Sequence, residues 1–239
     1  MASDAAAAVQ AALEGALNYT YDHVAVSRES TLKGAQGYNL EFRDWDNFQR
    51  AAGMKLMDDL ADQQIMRTKV TVSALGAAAG FGGLLTIVPD TIQFVTLTLR
   101  MVTAIAAAYG IDPDPLARHG KNKVLVLQAY LNANVGQTKQ KGVEAVTLST
   151  TSKLLRTAAQ RSDLLITIIK LLARIIGLRV TKQGILKSIP VISSGANAGF
   201  NWYYARQIAV GAKKEFRDFR EELRSGKYRG DSDYDGLGT

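Results

Sequence analysis

The 239-residue sequence contains no cysteine, only four prolines and only two histidines. Without cysteine there is no disulfide, no thiolate metal site and no cysteine nucleophile, and the composition fits a reducing compartment. His23 and His119 are separated by most of the chain, so spacing sets up no pair of imidazoles. Neither GxSxG, HExxH nor a GxxxxGK phosphate loop occurs; GFGGLL at 80–85 lacks both the third glycine of a dinucleotide loop and a strand before it. The opening MASDAAAAVQAALEGAL has no basic region of the kind that starts a secretory leader, so the expected location is the cytoplasm, extending to the inner face of the cell membrane. No cofactor is implied, and an enzyme would have to assemble its nucleophile and base from positions that no motif marks.

The scarcity of proline is also structural information. Ala, Leu, Lys, Arg and Gln fill long intervals between the prolines, and no run of alternating β-branched residues with tight turns interrupts them. The expected fold is therefore all-α, a compact multi-helix domain. The pattern predicts a helix over 4–26, a loop over 27–40 and a second helix over 46–68. A bend is expected at Gly82-Gly83, then a helix from Thr91 to Tyr109 opened by Pro89-Asp90 and closed by Gly110. Further helices are expected over 114–135, 143–160 and 162–176, and a charged amphipathic helix up to Leu223. Residues 226–239 read as a disordered tail, residues 1–68 as N-terminal helices and 69–225 as the main helical unit, the two forming one structural unit.

Charge is distributed unevenly. Residues 1–117 carry 8 basic and 13 acidic side chains, whereas 118–187 carry 13 basic and 2 acidic ones. A basic segment of this kind attracts phosphate on nucleic acid or on lipid headgroups. Tyr130 is its single aromatic residue, so stacking platforms for single strands are missing and nucleic acid is disfavoured. Anionic membrane fits better, because the basic residues adjoin long apolar helices. Lys170, Arg174, Arg179, Lys182 and Lys187 are the expected headgroup-facing residues.

Two uncharged stretches stand out, VTVSALGAAAGFGGLLTIVP at 70–89 and SIPVISSGANAGFNWYYA at 188–205, and each holds a small-residue hexapeptide, GAAAGF or GANAGF. Glycines four residues apart share a helix face and let a second backbone approach closely. Gly76, Gly80, Gly195 and Gly199 are accordingly expected to pack two apolar helical hairpins against each other. The first stretch is long enough to span a bilayer, but four glycines, a proline and several hydroxyls make it a poor span.

The same regions resemble the EcsC family. VPDTIQFVTLTLRMVTAIAAAYGID is similar to the family's first signature and SIPVISSGANAGFNWYYARQIAVGAKKEFRDFR to its second; the matching positions are Asp90, Arg100, Tyr109, Gly110, Pro190, Gly195, Gly199, Asn201, Ala212, Phe216 and Arg217. The resemblance covers Lys69 to Arg220. It implies a bacterial, mainly helical protein associated with an ABC transporter locus, with a hydrolase role sometimes suggested and no settled chemistry.

Among individual residues, Asp90, Arg100 and Asn201 are polar groups within the most apolar helices, where an unpartnered charge is costly. They are expected either to wall a pocket for a lipid headgroup or small anion, or to form a structural network. DDLAD at 58–62 has the spacing of a diphosphate–metal motif, with Asp58 and Asp62 on one helix face, but no second acidic cluster completes a site. DSDYDG at 231–236 resembles the start of a calcium loop that the chain does not complete. The leading expectation is a peripheral membrane protein binding anionic lipid or a lipid-like ligand, accessory to transport or secretion. A hydrolase with an apolar cleft and a scaffold docking on a transporter subunit are the alternatives.

Overall fold

The structure, a computed structural model, describes residues 2–24, 26–38, 41–79, 87–114, 120–138, 150–151, 158–187 and 193–226. Among them are eight long or short helices and no strand: α1 (Ala2–Val24), α2 (Arg28–Gln36), α3 (Trp45–Ala51), α4 (Met54–Ala79), α5 (Ile87–Ala108), α6 (Lys121–Thr138), α7 (Ala158–Lys187) and α8 (Ser193–Arg224). The fold is all-α, as the composition implies.

Several boundaries differ from expectation, each for a local reason. The predicted loop at 27–40 contains α2, whose first turn is capped by the Ser27 hydroxyl accepting from the Ser30 N–H at 3.1 Å. Glu29 near its start pairs with Lys33 one turn on, at 3.0 Å. The helix expected over 46–68 is two helices: α3, capped by Asp44 accepting from Asn47 N–H at 2.7 Å, ends where Ala52 becomes extended. α4 then runs without a break from Met54 into the first uncharged stretch. α7 likewise joins 162–176 to the basic residues beyond it, and α8 joins the second uncharged stretch to the amphipathic segment. A change from charged to apolar composition alters which face is wetted, not the backbone.

α5 and α6 form the centre. Residues 101–113 and 124–135 are buried throughout, and the Thr98 and Tyr130 hydroxyls join the two helices at 2.8 Å. α5 carries α1, α4 and α8 around it, whereas α6 packs on α5, α7 and α8. Pro89–Ala108, with mean hydropathy 1.5, is long and apolar enough to cross a bilayer, and 61% of it is buried inside the protein. α6 is buried despite its polar sequence, because its amides are satisfied locally: Asn134 donates to the Tyr130 carbonyl at 2.7 Å and Gln128 to Asn132 at 2.9 Å. The start of the basic segment is therefore partly internal, with Lys121 buried and Lys123 paired with Asp22 at 2.7 Å.

The turn after α5 fastens the N-terminal helices to α8. Gly110 adopts φ +78°, in the left-handed region that favours glycine. Its carbonyl accepts from Gln49 Nε2 at 2.5 Å. Arg220 and Arg224, one turn apart on α8, donate to the carbonyls of Gln49 and Ala52 at the end of α3, placing cations at the negative end of that helix. Arg220 is buried, and burial, followed by the neighbouring Arg224, pulls its pKa down to about 10. Beyond Gly110, Arg28 Nε donates to Asp112 at 2.7 Å and joins α2 to the same turn.

The close helix crossing occurs at a glycine outside the hexapeptides. A Cβ on Gly211 of α8 would lie 2.9 Å from the Ala133 Cβ and 3.0 Å from its Cα on α6. Gly199 instead is exposed, and a Cβ there would meet nothing within 4 Å among the described residues. Its expected packing role is corrected accordingly. Gly76 and Gly195 belong to α4 and α8, but their surroundings, like Gly80 and the bend at Gly82-Gly83, lie outside the described residues.

Candidate membrane-binding surface

α4 and α8 share the most extensive interhelical seam, running antiparallel: Asp58, near the start of α4, meets Arg217 near the end of α8, and Lys69 meets Trp202. The two ends of this seam have opposite character.

At the first end the charges that face each other across the seam are paired. Asp58 accepts from the Tyr109 hydroxyl at 2.5 Å and pairs with Arg217 at 3.1 Å and Lys213 at 3.9 Å. Asp62 takes Lys213 at 2.7 Å, and Glu221 takes Arg217 at 3.1 Å. Burial, and after it the bond to Asp58, pushes the Tyr109 phenol far above its ordinary range. Asp58 and Asp62, whose DDLAD spacing matches a diphosphate–metal motif, are instead paired with cations of α8, and among the described residues no group of three or more metal-ligating side chains forms.

At the other end the acids stop. From Gln63 to Ala79 on α4 and from Ser193 to Lys214 on α8 there is no Asp or Glu. Trp202, 38% exposed, has Lys69 Nζ at 4.8 Å from its ring centroid and the Arg206 guanidinium at 5.5 Å. Neither cation has a carboxylate partner among the described residues. Around them lie side chains that water does not favour: Met66 and Val70, one turn apart on α4, are 59% and 64% exposed, and Phe200 and Tyr203 on α8 are exposed as well. Phe200 stacks on Tyr204 at 6.5 Å, and Tyr203 meets Tyr204 edge-on at 5.8 Å. Single exposed apolar residues are ordinary; here several fall on the two helix stretches that meet at Trp202.

The residues singled out from sequence fall in three places. Arg100 is exposed, so it is not a charge stranded in the core, and it stands ten residues along α5 from Asp90, about 15 Å at the helical rise. Asp90, in the first turn of α5, and Asn201, near the start of α8, are half-buried. Asp90 and Arg100 therefore do not wall one small pocket together. Lys170 and Arg174 are exposed on α7, which packs on α1 and α6 and not along the α4–α8 seam. Arg179, Lys182 and Lys187 continue α7, with side chains outside the described set. Sequence reasoning missed Lys69, Trp202 and Arg206, whose proximity depends on a register between helices 133 residues apart; the signal was the absence of acid from both stretches.

An open cleft of about 380 Å³ lies where α1 meets α2, near Pro113 and Asp114. Its carboxylates, Asp22, Glu29 and Asp114, make it unsuited to an anionic ligand.

These features define an all-α bundle with two buried central helices and a peripheral seam that is ion-paired at one end and aromatic and cationic at the other. The EcsC protein family model matches residues 3–218, and the chain belongs to that family. The match takes in the N-terminal helices as well as the two signature blocks. No curated protein and no solved structure matches the chain. Two of the signature positions meet in space, since Tyr109 from the first block and Arg217 from the second share Asp58.

Proposed function

We infer that this protein is a peripheral membrane protein that docks on anionic lipid through the open end of the α4–α8 seam. The observation that carries this reading is Trp202, exposed between Lys69 and Arg206 with Met66, Val70, Phe200 and Tyr203 beside it. Trp and Tyr favour the headgroup level, where an apolar ring and a polar edge are both satisfied. Met66 and Val70 gain free energy on leaving water, at about 25 cal/mol per Å². Each nearby cation adds about 1 kcal/mol at an anionic surface. The ion-paired end and the acidic cleft beyond Gly110 then face the cytoplasm.

Co-sedimentation with neutral and with anionic vesicles, at low and high salt, tests the reading. Binding to anionic vesicles, weakened by salt and accompanied by a blue shift of Trp202 emission, is the expected result. Trp45, the other tryptophan, is 8% exposed and contributes a constant background. A protein that stays in the supernatant with every vesicle, with unchanged emission, sinks the proposal.

A further inference from the structure

We propose that Lys69, Trp202 and Arg206 form a headgroup site selective for a dianionic phosphomonoester lipid over monoanionic lipids at equal surface charge, an inference that rests on the membrane reading above. Both cations stand over one indole ring, so their charges are at most about 10 Å apart. With no acid on the neighbouring stretches of either helix, they repel each other without relief. An anion seated at the exposed edge of the indole, within reach of both side chains, lessens that repulsion and gains two attractions.

The chemistry of the anion follows from the pair. A phosphomonoester carries a charge of about −1.5 to −2 at pH 7 and three acceptor oxygens, so it serves an ammonium and a guanidinium together. The guanidinium takes two oxygens side by side, and the ammonium acts as a point charge on the third. A phosphodiester headgroup offers one charge on two oxygens and neutralises only one of the partners. Trp202 sets the depth: an exposed indole favours the headgroup level, and the two cations over it are then held at the height of the phosphate. At the ion-paired end of the seam the carboxylates of Asp58 and Asp62 hold Lys213 and Arg217; at this end the lipid takes the place of the missing acids.

The test uses the full chain and phosphatidylcholine vesicles containing either phosphatidate or phosphatidylserine, adjusted to the same measured surface potential. The phosphatidate vesicles are expected to bind roughly tenfold more tightly, a difference on the order of that made by one charge-assisted pair. The preference should shrink between pH 7.5 and pH 5, as the phosphate takes up its second proton near pH 6. Lys69→Gln and Arg206→Gln should each erase the preference, weaken binding to serine vesicles severalfold by the loss of one docking charge, and leave the thermal melt in place. Equal affinity for the two vesicles overturns the headgroup site and leaves the surface reading standing. Absence of binding to both overturns the two together. Glycerol 3-phosphate, offered in solution, is expected not to compete below millimolar concentration; tight binding of it without vesicle binding would assign the site to a soluble phosphate and overturn the proposal.

Discussion

The two ends of the α4–α8 seam are built from the same two helices, yet one is closed by its own charges and the other is left open. Near Asp58 the seam matches two carboxylates of α4 with two cations of α8 and draws in the buried Tyr109 hydroxyl. About four turns along α8, the cations of both helices stand over an exposed indole with no carboxylate partner among the described residues. The difference teaches that charge on this protein is not simply a coat for solubility. Where α4 supplies acid the seam is a structural clasp, and where it supplies none the seam offers a surface.

Breaking the clasp should give the largest effect. Asp58→Ala leaves the Tyr109 hydroxyl buried without its acceptor and removes a partner from Arg217 and Lys213. Both cations keep a second carboxylate, and Arg217 is about half exposed, so most of the cost comes from the phenol. Urea denaturation should show a loss of about 2–3 kcal/mol. Vesicle binding by the folded variant should be unchanged. Tyr109 of this cluster and the separate buried Tyr21 of α1 set a pH dependence. The Tyr109 and Tyr21 phenols are raised by burial, so their folded pKa values exceed the unfolded value of about 10. The stability this represents is fully present below pH 10 and is lost as the unfolded chain ionises above it. The melting temperature should therefore be insensitive to these groups up to pH 9 and fall beyond pH 10, with a shallower fall for Tyr109→Phe.

Two glycines on α8 make the next contrast, with opposite signs. Gly211→Ala forces a methyl to 2.9 Å from Ala133 and should cost about 1–3 kcal/mol as α6 and α8 separate. Gly199→Ala adds a methyl in open space on a helix and should stabilise by about 0.5–1 kcal/mol. Thermal melts of the two variants decide between them. A large loss at Gly199 would restore the close-packing role that the hexapeptide pattern suggested and count against an open surface there.

How much of this was visible in the sequence depends on the range of the interaction. The all-α class followed from the scarcity of proline, and the end of α5 followed from Gly110, because left-handed turns are local; at its other end α5 is already helical at Ile87, ahead of the expected start at Thr91. α2 was equally local and was missed, although Ser27, Glu29 and Lys33 spell out its capping and charge pattern. The family was legible from two blocks of signature residues, yet the match extends to residue 3, over helices with no recognisable motif. The candidate site was legible least. Arg100 looks buried in a sequence that is apolar all round, but a helix packed on several neighbours still has an outward position, and no pattern in one helix says which it is. Lys69 meeting Trp202 is a fact of tertiary register.

The open end can be tested without disturbing the fold. Trp202→Ala should weaken binding to anionic vesicles roughly tenfold, about 1.4 kcal/mol, while the melting temperature stays close to that of the parent, because the ring is exposed and lies outside the core. Leu at the same position keeps apolar area but loses both ring contacts, and should recover part of the affinity. Equal binding by all three proteins would show that the indole contributes nothing and would move the docking surface elsewhere.

The smallest expected effect separates the two basic surfaces. Lys170 and Arg174 are exposed on α7, a helix that packs on α1 and α6, whereas Lys69 and Arg206 lie on the seam. Charges more than a Debye length of about 8 Å from the lipid are largely screened at physiological ionic strength. If the open end of the seam is the docking face, Lys170→Glu with Arg174→Glu should weaken vesicle binding by about twofold or less, an effect that vanishes on adding salt. Lys69→Glu with Arg206→Glu should weaken it by more than tenfold, at about 1 kcal/mol or more for each charge reversed. The reverse order would put α7 against the bilayer, leave Trp202 facing water, and identify the basic segment, not the acid-free seam, as what the membrane attracts.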